Sequence, residues 1–127
     1  MKKVLITGVA GFIEFHLAKQ LCSRGIEVHG NDTLNDYYSV SLKLDRLNQL
    51  KGYKNFTFHP ISICDKDSLN ELFQRERFDV VINLAAQAGV RYSIEKPLKY
   101  VESNLIGFVN VIEACRYFGV KSFIFAS

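Results

Sequence analysis

Two glycines set between a run of strand-forming residues and a helical stripe are the first residues in this chain that could do chemistry. In Val4-Leu5-Ile6-Thr7-Gly8-Val9-Ala10-Gly11-Phe12-Ile13-Glu14 an extended apolar run enters a glycine turn and passes directly into a helix. Glycines in that context let the backbone approach a pyrophosphate, whose charge is held by free N–H groups and by the positive end of the helix dipole. The plainer alternative is a turn that only joins strand to helix. Asp32 ends the next predicted strand, 24 residues beyond Gly8, near the spacing at which a carboxylate takes both hydroxyls of an adenosine ribose. A 2′-phosphate would meet that charge unscreened, and no arginine follows closely, so the pattern favours NAD over NADP; a plain loop aspartate is the other reading. Further on, Asn83-Leu84-Ala85-Ala86-Gln87-Ala88-Gly89-Val90-Arg91-Tyr92-Ser93 leaves a strand through small residues against which a flat ligand could lie. Arg91 could pair there with a carboxylate or phosphate in bidentate fashion, or stand as a solvated surface arginine.

The elements that must position these groups follow from the apolar pattern. Strand-forming runs recur at Val4 to Ile6, Val28, Phe56 to Phe58, Val80 to Leu84 and Phe123 to Phe125, with helix-period segments between them. Phe12, Ile13, Leu17, Leu21 and Cys22 form the first helical stripe, which ends at Gly25; Leu42, Leu44, Leu47 and Leu50 mark a second. Asp67, Leu69, Leu72 and Phe73 mark a third, acidic in its first turn, and Pro97 opens the longest helix, which Gly119 closes. Alternation of this kind predicts an α/β domain spanning residues 1–127, with a doubly wound parallel sheet of five strands in the order 3-2-1-4-5. In that order the exit loop of the fourth strand faces the same crevice as the glycine turn, at the topological switch point. The chain stops at Ser127, directly after the fifth apolar run, which is expected to be a buried strand still lacking a closing helix.

Composition narrows the partners. Of 127 residues, 48% are hydrophobic and 23% charged, a globular balance; 16 Lys and Arg against 13 Asp and Glu are interspersed with no basic block, so no nucleic-acid or membrane surface is indicated. The longest apolar runs are far short of the roughly 20 residues that span a bilayer. The opening MKKVLITG reads as a strand rather than a signal peptide, which favours a cytoplasmic chain. Cys22, Cys64 and Cys115 form no CxxC and suggest neither zinc nor disulfides, only buried reduced thiols. His16, His29 and His59 fall on different elements, too scattered to suggest a metal site.

Taken together, TGVAGFI, NDTLNDYYSVSLKLDRL, NLAAQAGVRYSIEKP and YVESNLIGFVNVIEACR resemble the nucleotide-sugar branch of the extended short-chain dehydrogenase/reductase family, across essentially the whole chain. The strings AAQAGVRYS and NDYY are most similar to its UDP-glucuronate 4-epimerase group. The resemblance implies a Rossmann fold with NAD as cofactor, and a cytoplasmic isomerase of polysaccharide biosynthesis that is a homodimer when complete. It places Gly8, Gly11, Phe12 and Ile13 at the pyrophosphate, Asp32 and Thr33 at the adenosine ribose, and Ser62 and Ile63 at the adenine. Leu84, Ala85 and Ala86 would line the cofactor, Asn104 would lie near the inner ribose with Gly107 allowing close helix packing, and Arg91 would touch the sugar-nucleotide substrate.

Three departures accompany it. Glu14 stands where the family has its third glycine, adding bulk and negative charge beside the pyrophosphate, while as a first-turn acid it suits the helix. Ser62 replaces an aspartate that accepts from the adenine amino group. Family members also continue beyond this length to a catalytic Ser or Thr, a YxxxK pair and a sugar-nucleotide domain. The one literal YxxxK here, Tyr92 to Lys96, precedes Pro97, and the residue before a proline is biased away from helix; it reads as coincidence. The 127 residues are therefore expected to hold the cofactor half of an epimerase and to be catalytically silent alone. A sugar-nucleotide 4,6-dehydratase portion and a non-catalytic nucleotide-binding module remain the alternatives.

Overall fold

The computed structural model describes residues 2–33, 40–84 and 97–125. Its elements alternate throughout: β1 (Lys3–Thr7), α1 (Phe12–Ser23), β2 (Glu27–Asn31), α2 (Val40–Leu50), β3 (Phe56–His59), α3 (Lys66–Glu76), β4 (Val80–Asn83), α4 (Pro97–Tyr117) and β5 (Ser122–Phe125). All five strands are parallel, in the order β3-β2-β1-β4-β5. This is the expected doubly wound, Rossmann-like sheet.

Side-chain alternation along β1 divides the core into two layers. Val4 and Ile6 face α1 and α2, joining Phe15, Ala18, Cys22, Leu47 and Leu50. Leu5 faces the other way, among Leu69, Leu72, Phe73, Val111 and Ala114 of α3 and α4. Asp65 caps α3, its carboxylate accepting the Ser68 N–H at 3.2 Å. Gly25 and Gly119 carry the positive φ expected where α1 and α4 close.

Several expectations are corrected. Phe12 and Ile13 do not belong to the core-facing stripe of α1: they are 58% and 67% exposed, because the buried line runs through Phe15, Ala18 and Cys22. Leu42 and Leu44 of α2 are also exposed, while Leu47 and Leu50 are buried. Cys64 is exposed, unlike Cys22 and Cys115, because it lies in the turn after β3 rather than on a helix face. Finally, β5 is not buried. Ile124 and Phe125 stand half exposed, since an edge strand is paired on one side only. Among the described residues, no helix is long and apolar enough to cross a membrane.

Candidate functional site

The carboxyl ends of β1 and β2 converge on the turn Gly8–Gly11. Gly8 holds φ at 66°, a left-handed conformation that costs glycine least, and this reverses the chain between strand and helix. The N–H of Val9 donates to Asn31 O at 3.0 Å, that of Ala10 to Asp32 Oδ2 at 2.9 Å and that of Gly11 to Gly8 O at 2.9 Å. A Cβ added at Gly30 would lie 2.6 Å from Val9, so β2 and the turn are packed as closely as a bare backbone allows. Gly11 caps α1 without a side-chain hydrogen bond. Among the described residues, the N–H groups of Phe12 and Ile13 have no acceptor, as the first turn of a helix leaves them. They are the donors an anion would meet.

Asp32 is buried, and each of its oxygens accepts one hydrogen bond. Oδ2 accepts from Ala10, and Oδ1 pairs with Lys43 Nζ at 2.9 Å, both side chains being less than a tenth exposed. Lys43 also donates to the carbonyl of Thr33 at 3.3 Å. Arg46, one turn along α2, donates to Ala10 O at 2.9 Å and lies over the Phe12 ring, 5.6 Å from its centroid. The charge of Asp32 is therefore not unscreened, as the sequence suggested: Lys43 neutralises it from α2. Lys43 and Arg46 were missed because α2 was read through its leucines alone. The signal was two cations three residues apart on a helix, which puts them on one face.

Glu14 is folded over the turn. A Cβ at Gly11 would come within 2.8 Å of Glu14 Oε2 and 2.9 Å of Oε1. Burial raises its carboxyl above the usual carboxylate range; its own backbone N–H opposes this, Asp32 adds to it, and Arg46 and Lys43 oppose it.

On the far side of the crevice, Ser62 Oγ accepts the Cys64 N–H at 3.0 Å, so one of its acceptor positions is used locally. Ile63 is buried, and its carbonyl accepts from Asn110 Nδ2 of α4 at 2.9 Å. A Cβ at Gly107 would meet Ile63 Cδ1 at 2.5 Å, which brings α4 hard against this loop. Asn104, one turn earlier on α4, is half-buried, as are Thr33 and Leu84. At the end of β2, Asn31 Nδ2 donates to Ile61 O at 3.1 Å and its Oδ1 is the one buried side-chain atom without a partner among the described residues. Thr7 Oγ1 donates to Asn83 Oδ1 at 2.6 Å, tying the ends of β1 and β4. Ala85, Ala86 and Arg91 lie outside the described residues, as do Tyr92 and Lys96.

The histidines are less scattered than their spacing suggested. His29 and His59 stack, with Nδ1 of the first 2.9 Å from Nε2 of the second, because β2 and β3 are neighbours. Glu27, His29 and Glu76 bring one possible metal-ligand atom each within 4.8 Å of one another. Lys3 Nζ already stands 3.7 Å from Glu27 Oε2 and 3.4 Å from Glu76 Oε1, so an ammonium supplies the positive charge.

Comparison with known proteins places this geometry. The family model described as GDP-mannose 4,6 dehydratase matches residues 5–127. The chain belongs to that family. It is 54% identical over 125 residues to Protein CapI of Staphylococcus aureus, spanning 98% of this chain and 37% of that protein. With the UDP-glucuronate 4-epimerase of Thermodesulfobacterium geofontis it shares 46% over 123 residues, 97% of this chain and 38% of that one. The crystal structure of UDP-glucuronic acid 4-epimerase from Bacillus cereus, in complex with UDP-glucuronic acid and NAD, superposes with a TM-score of 0.85 at 34% identity, covering 97% of this chain and 39% of the other. The chain thus spans under two fifths of the length of these family members.

A dinucleotide fits one half of the site as it stands. The closed approach at Gly30, the buried Asp32 and the donors at Phe12 and Ile13 suit a nucleotide. The Glu14 carboxylate over Gly11 does not suit a pyrophosphate.

Proposed function

We propose that this chain is the NAD-binding portion of a nucleotide-sugar epimerase that interconverts UDP-glucuronate and UDP-galacturonate through a 4-keto intermediate. The observation that carries the reading is the pairing, at the carboxyl ends of adjacent parallel strands, of the buried Asp32 with the acceptor-less N–H groups of Phe12 and Ile13. A carboxylate that takes ribose hydroxyls and a helix start that takes phosphate are the two parts of dinucleotide recognition. The similarity to UDP-glucuronate 4-epimerases supports the choice of sugar.

In this reading NAD supplies a reversible hydride acceptor. Asp32 and Thr33 hold the adenosine ribose, Gly8, Gly11, Phe12 and Ile13 the phosphates, and Ser62 and Ile63 the adenine. Leu84, Ala85 and Ala86 line the cofactor, Asn104 lies toward the inner ribose and Arg91 meets the sugar nucleotide. None of these residues is a base for the sugar hydroxyl, so the 127 residues alone turn over no substrate. The catalytic tyrosine and lysine belong to the part of the relatives that this chain does not span, and the complete enzyme is a cytoplasmic homodimer.

The matching family model, described by a dehydratase, supports a second reading in which the complete protein is a sugar-nucleotide 4,6-dehydratase. Glu14 supports a third, a non-catalytic nucleotide-binding module. Calorimetric titration of Glu14→Gly with NAD and NADP tests the proposal: NAD is expected to bind well ahead of NADP, and binding of neither would overturn it. Incubation of the chain with NAD and UDP-glucuronate is expected to yield no UDP-galacturonate.

A further inference from the structure

The turn that should receive a pyrophosphate already holds an anion of the chain's own. Both carboxylate oxygens of Glu14 lie within 2.9 Å of the point where a Gly11 Cβ would stand, on the surface that the missing Cβ leaves open. In the same first turn of α1 the N–H groups of Phe12 and Ile13 have no acceptors among the described residues, and Gly11 contributes no side-chain cap. Beside it, Lys43 and Ala10 hold the Asp32 carboxylate in place. One half of the site is thus fixed in place by Lys43 and Ala10, and the other half is occupied by the Glu14 charge.

We propose that Glu14 makes this a site that selects ligands by phosphate charge: an uncharged nucleoside such as adenosine enters directly, whereas a dinucleotide enters only when the Glu14 carboxylate leaves the turn. The inference rests on reading the turn and Asp32 as a nucleotide site. The steric part is modest, because the obstruction is the far end of a flexible side chain. The electrostatic part is larger, because two negative charges would share a partly desolvated space.

The groups that face Glu14 set the sign of the pH dependence. Asp32 from the end of β2 is negative; Lys43 and Arg46 from α2 are positive, one pairing with Asp32 and the other donating to Ala10 O. On its own helix, His16 packs edge-on against Phe12, 4.7 Å between ring centroids. Burial already holds the Glu14 carboxyl above its ordinary value. A pyrophosphate beside it raises that value further, so binding takes up a proton and NAD affinity grows as pH falls. Adenosine brings no charge, and its affinity stays level with pH.

The test is calorimetry on the full chain with adenosine, ADP and NAD between pH 5.5 and 8, on wild type, Glu14→Gln and Glu14→Gly, with circular dichroism confirming the fold of each. In wild type at pH 8, NAD is expected to bind no more tightly than adenosine, its affinity rising toward low pH with a limit of about tenfold per pH unit. Proton uptake on NAD binding, read from heats in two buffers, should approach one. Glu14→Gln is expected to tighten NAD by about tenfold or more at pH 8, flatten its pH profile and leave adenosine unchanged; pH dependence retained in Glu14→Gln would assign the effect to another group and overturn the proposal. Tight, pH-independent NAD binding by wild type would also overturn it while leaving the nucleotide-site reading standing. Folded variants that bind neither adenosine nor NAD would overturn both.

Discussion

Polar groups gather at both ends of the sheet, and the two gatherings are finished differently. Toward the amino ends, Lys3, Glu27, His29 and Glu76 answer one another, and His59 joins them from the end of β3: His29 Nε2 lies 2.7 Å from Glu27 Oε2, and its Nδ1 meets His59. Lys3 Nζ donates to the carbonyl of Glu76 at 2.7 Å, and the Lys3 backbone N–H donates to Asp79 Oδ2 at 2.9 Å. At the carboxyl ends, Asp32, Lys43 and Arg46 are equally well paired, yet the N–H groups of Phe12 and Ile13 and the Asn31 Oδ1 remain without partners among the described residues. Buried polarity alone does not mark a site. What marks one is the donor or acceptor that the fold could have paired and did not.

The comparison can be broken most forcefully at Asp32. Replacing it with alanine leaves Lys43 buried without its carboxylate, and loss of one partner from a buried pair costs about 3–5 kcal/mol. Urea denaturation of Asp32→Ala should show a loss of that size, and an unchanged midpoint would mean the pair is not buried. Next, Gly30→Ala sets a Cβ 2.6 Å from Val9, and the overpacking is expected to cost about 1–3 kcal/mol by the same measurement. A neutral result would show that the glycine turn yields easily to β2.

The cluster around His29 and His59 should respond to acid. Burial, and then the neighbouring charge of His29, push His59 down to about 4, below its ordinary value. Between roughly pH 6.5 and 4 the unfolded chain therefore binds more protons than the folded one, so stability falls as pH falls through that window. Thermal unfolding of His59→Gln should show a flatter acid limb than wild type; an identical limb would place the acid sensitivity elsewhere. The smallest effect is expected at Lys3, whose ion pairs are partly exposed. Lys3→Met should change stability by about 1 kcal/mol or less.

Strand order and the four helices of the described residues were legible because apolar runs and helical stripes alternate cleanly, and each run met its predicted neighbour in the sheet. The glycine turn, and Asp32 just beyond β2, were legible because strand, turn and helix follow one another at a fixed local spacing. Lys43 and Arg46 were not, because their role depends on how α2 leans across the crevice, and the leucines dominated its pattern. The contact of His29 with His59 required strand pairing, which the residue types alone do not reveal. The exposure of Phe12 and Ile13 was missed for a related reason. The first residues of α1 lie off the line through Phe15, Ala18 and Cys22 that meets the sheet, whatever their hydrophobicity.

Gly107 has a mechanical consequence. With no side chain there, the Ile63 tip lies against the α4 backbone, and Asn110 grips the Ile63 carbonyl from the next turn. Loop and helix are latched at two points, so neither can shift without carrying the other. Whatever seats itself against Ser62 and Ile63 thereby presses on the same rod that carries Asn104, one turn from Gly107.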